Sequence, residues 1–183
     1  MWRKRTRSIA PDQDCVARGA KFQSHIERRA DGHSGMVRDE QGVIRWRYGN
    51  RESSPTDGDA NPFNKPDFVI AEPSATNELI IRRSSFIPSV FEIIDAGRAL
   101  GTIRMRSIFR NKYLIDIDNL SSLTFRMPLF SVRFFGVSTA GIEIWVAVGP
   151  SEMEWNILIK PGTEEWPLLA ALAFIHTERW NYG

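Results

Sequence analysis

Apolar and polar side chains alternate along most of the chain, which predicts β-strands. In one segment Ile115 and Ile117 alternate with Asp116 and Asp118, so one side of the strand is apolar and the other is charged. This pattern, together with runs that are apolar on both faces at 131–137 and 142–148, predicts nine strands in the main body, at 68–71, 79–81, 89–95, 100–107, 113–118, 122–127, 131–137, 142–148 and 153–160. Closely spaced strands with no helix between them are typical of a sandwich or a barrel.

Residues 164–179 follow a different pattern and predict a helix. Thr163 is suited to the N-cap, and acidic residues follow in the first turn. Apolar side chains from Trp166 to Ile175 lie around the whole circumference, so this helix must be covered on every side. It is shorter than the ~20 residues that cross a bilayer. We therefore predict a mainly β fold, in which an antiparallel, closed, barrel-like sheet surrounds a buried C-terminal α-helix.

Composition divides the chain into four segments. Residues 1–19 lack periodicity and predict a flexible basic N-terminus. Residues 20–48 predict a small β segment with a hairpin, whose turn places Gly42 where a positive φ is needed. Residues 49–66 are rich in Pro, Gly, Asp and Asn and predict a linker or long loop. Residues 67–183 predict the barrel and its central helix.

The charge and the cysteine content limit the kinds of binding site that the chain can form. The net charge is +2, from 24 basic and 22 acidic residues, which gives no overall signal for a polyanion. Cys15 is the only cysteine, so an intrachain disulfide is excluded, and with His25 and His33 it does not give zinc-ligand spacing. We predict no catalytic residues, no metal and no cofactor. We expect a cytoplasmic protein that can lie peripherally at a membrane.

Two segments resemble a known family. Residues 91–103, FEIIDAGRALGTI, resemble a hairpin of the tubby C-terminal-like superfamily, which includes the phospholipid scramblases and the LURP-one-related proteins. Residues 168–175 are similar to the helix that threads that family's barrel, and the similarity covers roughly 67–180. The resemblance implies a barrel of more than nine strands, so we expect N-terminal strands to complete its closure.

The same resemblance bears on activity. Members of the superfamily bind phosphoinositides, associate with membranes, or have no known activity. Scramblases have an acidic calcium-binding segment and a lipid-modified, cysteine-rich stretch, and this chain has neither. Scramblase activity is therefore not implied.

Basic residues cluster around the strand predicted at 100–107. Two of them share one face of that strand, two more follow in the next loop, and one precedes them in the chain; guanidinium groups at this density suit a phosphate. The anion-binding candidates are Arg82, Arg104, Arg106, Arg110 and Lys112. Alternatively, the arginines pair with aspartates on neighbouring strands, namely Asp95, Asp116 and Asp118.

We therefore expect a non-catalytic binding or scaffold module with an anionic phospholipid or membrane surface as its partner. An enzyme of unknown reaction and a protein–protein interaction module are the alternatives, and the second predicts an exposed apolar patch on the hairpin at 36–48. Nucleic acid is disfavoured, because Trp46 and Tyr48 should face the core while Arg45 and Arg47 face water. The sequence leaves the oligomeric state open. We interpret His176 as a partner of the helix dipole.

Overall fold

A computed structural model describes residues 11, 13–29, 32–51, 66–74, 78–106, 112–127, 132–163 and 165–180. The helices within these residues are α1 (Gln13–Arg18) and α2 (Glu165–Trp180). The strands are β1 (Ala20–Arg29), β2 (Gly32–Asp39), β3 (Ile44–Arg51), β4 (Asp67–Ala71), β5 (Glu78–Phe86), β6 (Ser89–Asp95), β7 (Arg98–Met105), β8 (Lys112–Ile117), β9 (Leu123–Arg126), β10 (Arg133–Ser138), β11 (Gly141–Val148) and β12 (Glu154–Ile159).

The strands form one closed antiparallel barrel, which confirms the predicted fold class. Each strand pairs with the next along the chain, and β1 closes the sheet by pairing with β12. The nine strands predicted in the main body are β4 to β12, and β1, β2 and β3 complete the circle. The strands of the segment predicted at 20–48 therefore belong to the same sheet as β4 to β12.

The chain departs from the predicted segments at two places. α1 lies within residues 1–19, where the sequence predicts a flexible segment; six residues without apolar periodicity give no helical signal. β3 runs on to Arg51, so the first residues of the predicted linker are strand. Residues 52–65 of that linker lie outside the described residues.

Glycine occupies a position of positive φ in each of two tight turns. Gly42 has a φ of 79°, as predicted for the turn between β2 and β3. Ala96 and Gly97 join β6 to β7 with φ angles of 46° and 80°. Two consecutive positive φ angles make a type I′ turn, whose twist matches that of the strands beside it.

α2 fills the interior of the barrel. Every side chain at 168–175 is at most 4% exposed. The ring of Phe174 lies 4.6 Å from that of Phe91 on β6, and on the opposite side of the barrel His176 stacks on Trp155 of β12, with 4.1 Å between ring centroids. Contacts on both sides confirm that the sheet surrounds the helix. The helix runs along the barrel, with Thr163, just before its start, near one mouth and Arg179 near the other.

Gly101 marks a close approach between β7 and β8. A Cβ atom at this position would lie 2.1 Å from the carbonyl oxygen of Asp116 and 2.8 Å from Cα of Ile117. Both atoms belong to the backbone, so a side-chain rotation cannot relieve the contact. The pairing of these two strands therefore requires glycine at 101.

We expect Gly101→Ala to lower the free energy of unfolding by about 2–3 kcal/mol, since the added methyl forces β7 and β8 apart. Gly49→Ala is the matched control, because the nearest atom to its Cβ would be Ser34 Cβ at 3.3 Å, and the nearest backbone atom would lie at 3.6 Å, an ordinary van der Waals distance. Urea unfolding followed by circular dichroism measures both. Equal, small effects would contradict the close approach at Gly101.

Candidate anion-binding site

Several strand ends bring basic residues to one mouth of the barrel. Since neighbouring strands are antiparallel, the ends of β5, β7 and β9 lie level with the starts of β6, β8 and β10. We call this mouth, where α2 also ends, the rim. The turns at 40–43 and 96–97 lie at the opposite mouth.

Three basic residues line up across neighbouring strands at the rim. The backbone N–H of Arg106 donates to the carbonyl of Lys112 over 2.8 Å, and Lys112 pairs in register with Arg126 on β9. Neighbouring strands lie about 4.8 Å apart, so the three backbones span roughly 10 Å. All three side chains are exposed. We call Arg106, Lys112 and Arg126 the basic row.

Arg104 lies directly below the basic row. It is two residues before Arg106, and it is exposed on the same outer face of β7. Its neighbours in register are Val90 on β6 and Leu114 on β8, so no charge lies directly beside it. Arg104 therefore extends the basic surface away from the rim.

Two of the three aspartates expected to neutralise these arginines have other partners, and the third, Asp95, lies in register with Arg98 near the opposite mouth. Asp118 lies 3.4 Å from Arg98, near the opposite mouth, and Asp116 accepts a hydrogen bond from Ser122. None of the basic row or Arg104 forms an ion pair with another residue in the described part of the chain. The charge of this surface is therefore available to an external anion.

Among the described residues, the acidic neighbours of the basic surface lie on its lower side. Glu92 on β6 and Asp116 on β8 are both in register with Thr102, two residues below Arg104. Side chains in such diagonal positions are about 7–8 Å apart. The attraction for an anion is therefore strongest at the rim, where the basic row is farther from both carboxylates.

Arg82 does not belong to this surface. Its Nε and Nη2 donate to both carboxylate oxygens of Asp67, at 2.7–3.2 Å, and Asp67 is buried. It lies on β5, two strands from Arg104. A bidentate pair with a buried carboxylate joins β4 to β5 and engages the guanidinium. Arg110 lies outside the described residues.

Arg126 is not among the anion-binding residues predicted from the sequence. It follows Ser122 and Thr124 on the outward side of an alternating segment, which indicates exposure. Its place beside Lys112 depends on the register between β8 and β9, which the alternation alone does not determine.

The hairpin at 36–48 is not an exposed apolar surface. Met36 is 8% exposed, and Trp46 and Tyr48 are buried. Arg45 and Arg47 point to water, which confirms the predicted alternation. The patch that a protein-binding module would show here is therefore absent from this described hairpin, although Val43 at its turn is half exposed.

A second polar cluster lies inside the barrel and was also missed. His176 Nε2 lies 3.3 Å from the carbonyl oxygen of Glu152, and Nδ1 lies 3.3 Å from Ser24 Oγ. Tyr48 Oη lies 2.9 Å from Ser24 Oγ and 3.1 Å from the carbonyl oxygen of His25. A carbonyl can only accept, so Nε2 carries the proton of the neutral ring and Nδ1 accepts from Ser24.

Burial controls the ionisation of this cluster. Desolvation lowers the pKa of His176 to about 3, and the charges of Arg179 and His25 act in the same direction; the bond to Glu152 opposes them. Desolvation also raises the pKa of Tyr48 well above its usual range. Ser24 and His176 are fully buried, so the cluster joins α2 to β1 and β3 as a neutral structural network.

Neither a cluster of metal ligands nor a membrane-spanning helix is found among the described residues. No three His, Cys, Asp or Glu side chains within them are placed to hold a metal ion. Neither of the described helices reaches the length and apolar character of a bilayer-spanning helix.

Comparison of the chain with known protein-family models and with curated protein sequences gives no match.

We expect the free energy of unfolding to fall as pH decreases from about 6.5 towards 3, by up to about 1.4 kcal/mol per pH unit from His176. The unfolded chain binds a proton at this histidine near pH 6.5, whereas the folded chain does not, so acid favours unfolding. His176→Gln should be less stable at neutral pH and should show a shallower decline. Urea unfolding between about pH 7 and pH 4 compares the two, and equal slopes would contradict the buried neutral ring.

Proposed function

We propose that the protein is a non-catalytic binding module that recognises anionic phospholipid headgroups at a membrane surface. The observation that carries the proposal is the basic row, in which Arg106, Lys112 and Arg126 are exposed side by side without an ion-pair partner among the described residues. The ligand sought is therefore a phosphate-bearing group that approaches the rim.

The chemistry of the basic row suits phosphate. A guanidinium presents two parallel N–H donors to a phosphate, and a lysine adds a mobile point charge between the two arginines. Because the backbones are about 4.8 Å apart, two neighbouring side chains can contact one phosphate together. A rigid, closed sheet fixes their spacing, so binding does not have to order the backbone.

The position of the basic row suits a surface better than a deep pocket. The three residues lie at one mouth of the barrel and are open to solvent. Each Lys or Arg near an anionic bilayer contributes about 1 kcal/mol. A row of such residues therefore gives moderate, salt-sensitive attachment without any enclosed cavity.

The resemblance to the tubby C-terminal-like superfamily supports the same proposal. A barrel completed by N-terminal strands around an apolar C-terminal helix is the architecture that the resemblance implies. We propose membership on this basis, and the superfamily's binding of phosphoinositides agrees with a phosphate-directed site. The interior Ser24–His176 contact does not favour an enzyme, because both side chains are fully buried.

We expect the double variant Arg106→Gln with Lys112→Gln to bind vesicles of phosphatidylcholine with phosphatidylserine about 30-fold more weakly, from the loss of two charges worth about 1 kcal/mol each. Co-sedimentation at several salt concentrations measures the binding. Vesicles of phosphatidylcholine alone should bind neither protein.

The control variant carries Arg45→Gln with Arg98→Gln. It makes the same change in net charge at the opposite mouth, where both side chains are largely exposed. We expect it to bind as the unaltered protein does. Equal losses in the two double variants, or binding that needs no anionic lipid, would overturn the proposal.

A further inference from the structure

The hairpin between β5 and β6 ends in three exposed apolar residues beside the basic row. Ile87 is 94% exposed and Phe86 is 49% exposed, and Pro88 is also open to solvent. We call these three residues the apex. Ile87 is far more exposed than a large aliphatic side chain usually is.

The register places the apex level with the basic row. Val90 on β6 pairs with Arg104 on β7, and continuing this antiparallel pairing by two residues brings Pro88 level with Arg106. On the other side of the row, Val132 lies just before β10 and is 67% exposed. The cations therefore lie between two exposed apolar points on the same rim.

Arg83 contacts both sides of the hairpin that carries the apex. Its Nε donates to the carbonyl of Ser85 at 3.2 Å, and its Nη2 donates to Ser89 Oγ at 2.8 Å. Ser89 Oγ donates in turn to the carbonyl of Phe86 at 3.1 Å, and the guanidinium lies 4.0 Å from the centre of the Phe86 ring. Both sides of the hairpin are thus fixed below Ile87, and the ordering cost of inserting a flexible loop is avoided.

We propose that the apex inserts into the interfacial layer of an anionic bilayer while the basic row contacts the headgroups. This inference rests on the proposed function and adds to it the depth and orientation of the bound protein. An apolar tip bordered by cations complements a surface in which anionic headgroups overlie acyl chains. A folded protein partner would have to offer an apolar pocket ringed by acids, a far more specific surface.

Contact through the apex and the basic row determines how the bound barrel is oriented on the membrane. The rim faces the membrane, with the end of α2 on the membrane side, and the turns at 40–43 and 96–97 face away. The apex is a few residues long and reaches only the interface, as expected for a protein bound peripherally.

A fluorescent label tests the insertion directly. Ile87→Cys in a Cys15→Ser background carries an environment-sensitive nitrobenzoxadiazole probe, and Val43→Cys in the same background is the control. Val43 is the matched position, since it is 53% exposed in a hairpin at the opposite mouth. With vesicles of phosphatidylcholine and phosphatidylserine, we expect the probe at 87 to shift to the blue and to be quenched by doxyl-labelled lipid. The probe at 43 should not respond.

Unlabelled variants give an independent measurement. We expect Ile87→Ser to weaken binding to the same vesicles about tenfold, because burial of this side chain is lost. Val43→Ser should change binding less than about twofold, since surface substitutions away from the contact have small effects. Circular dichroism checks that both remain folded.

The outcomes separate this inference from the proposed function. Anionic vesicle binding that depends on Arg106 and Lys112, with no response of the probe at 87, overturns insertion and leaves the proposed function standing. A response at both 87 and 43 also overturns the orientation. Absence of vesicle binding by the unaltered protein overturns the proposed function and the insertion together.

Discussion

A helix that is apolar around its whole circumference is unstable wherever one of its sides faces water. α2 has fully buried side chains over more than two turns, including alanines that allow the strands to approach closely. Covering it on all sides requires a sheet that closes, and closure in turn requires every strand from β1 to β12. The N-terminal strands are therefore as necessary to the core as the strands of the main body.

Closure also determines the surface chemistry. In a closed sheet the interior takes alternate side chains, such as Ile103 and Ile115, and the exterior takes their neighbours, such as Arg104. The register across β7, β8 and β9 then brings cations that are distant in the chain to one level. The enclosure of the helix and the alignment of the basic row thus depend on the same strand pairing, although the helix is buried and the row is exposed.

Alternation and the helical pattern were enough to predict the fold, because both depend on local side-chain direction. They also placed Arg104, Arg106 and Lys112 on exposed positions. Neither pattern could predict features that depend on contacts between distant segments. The position of Arg126 beside Lys112 depends on the register between β8 and β9. The engagement of the Arg82 guanidinium depends on its buried partner Asp67. His176 was interpreted as a dipole partner, yet its ring bonds to Ser24, more than 150 residues earlier in the chain. No local sequence pattern predicts a contact between two residues so far apart in the chain.

The pairing of β1 with β12 has a consequence for how the chain matures on the ribosome. β1 is made before every other strand of the barrel and its partner β12 after all of them, and α2 follows β12. Until then the growing sheet has two unpaired edges and an unfilled apolar inner face. Both are surfaces that favour aggregation. The barrel can therefore complete its folding only after β12 and α2 have been made, and a nascent chain stalled before α2 would expose surfaces that chaperones bind.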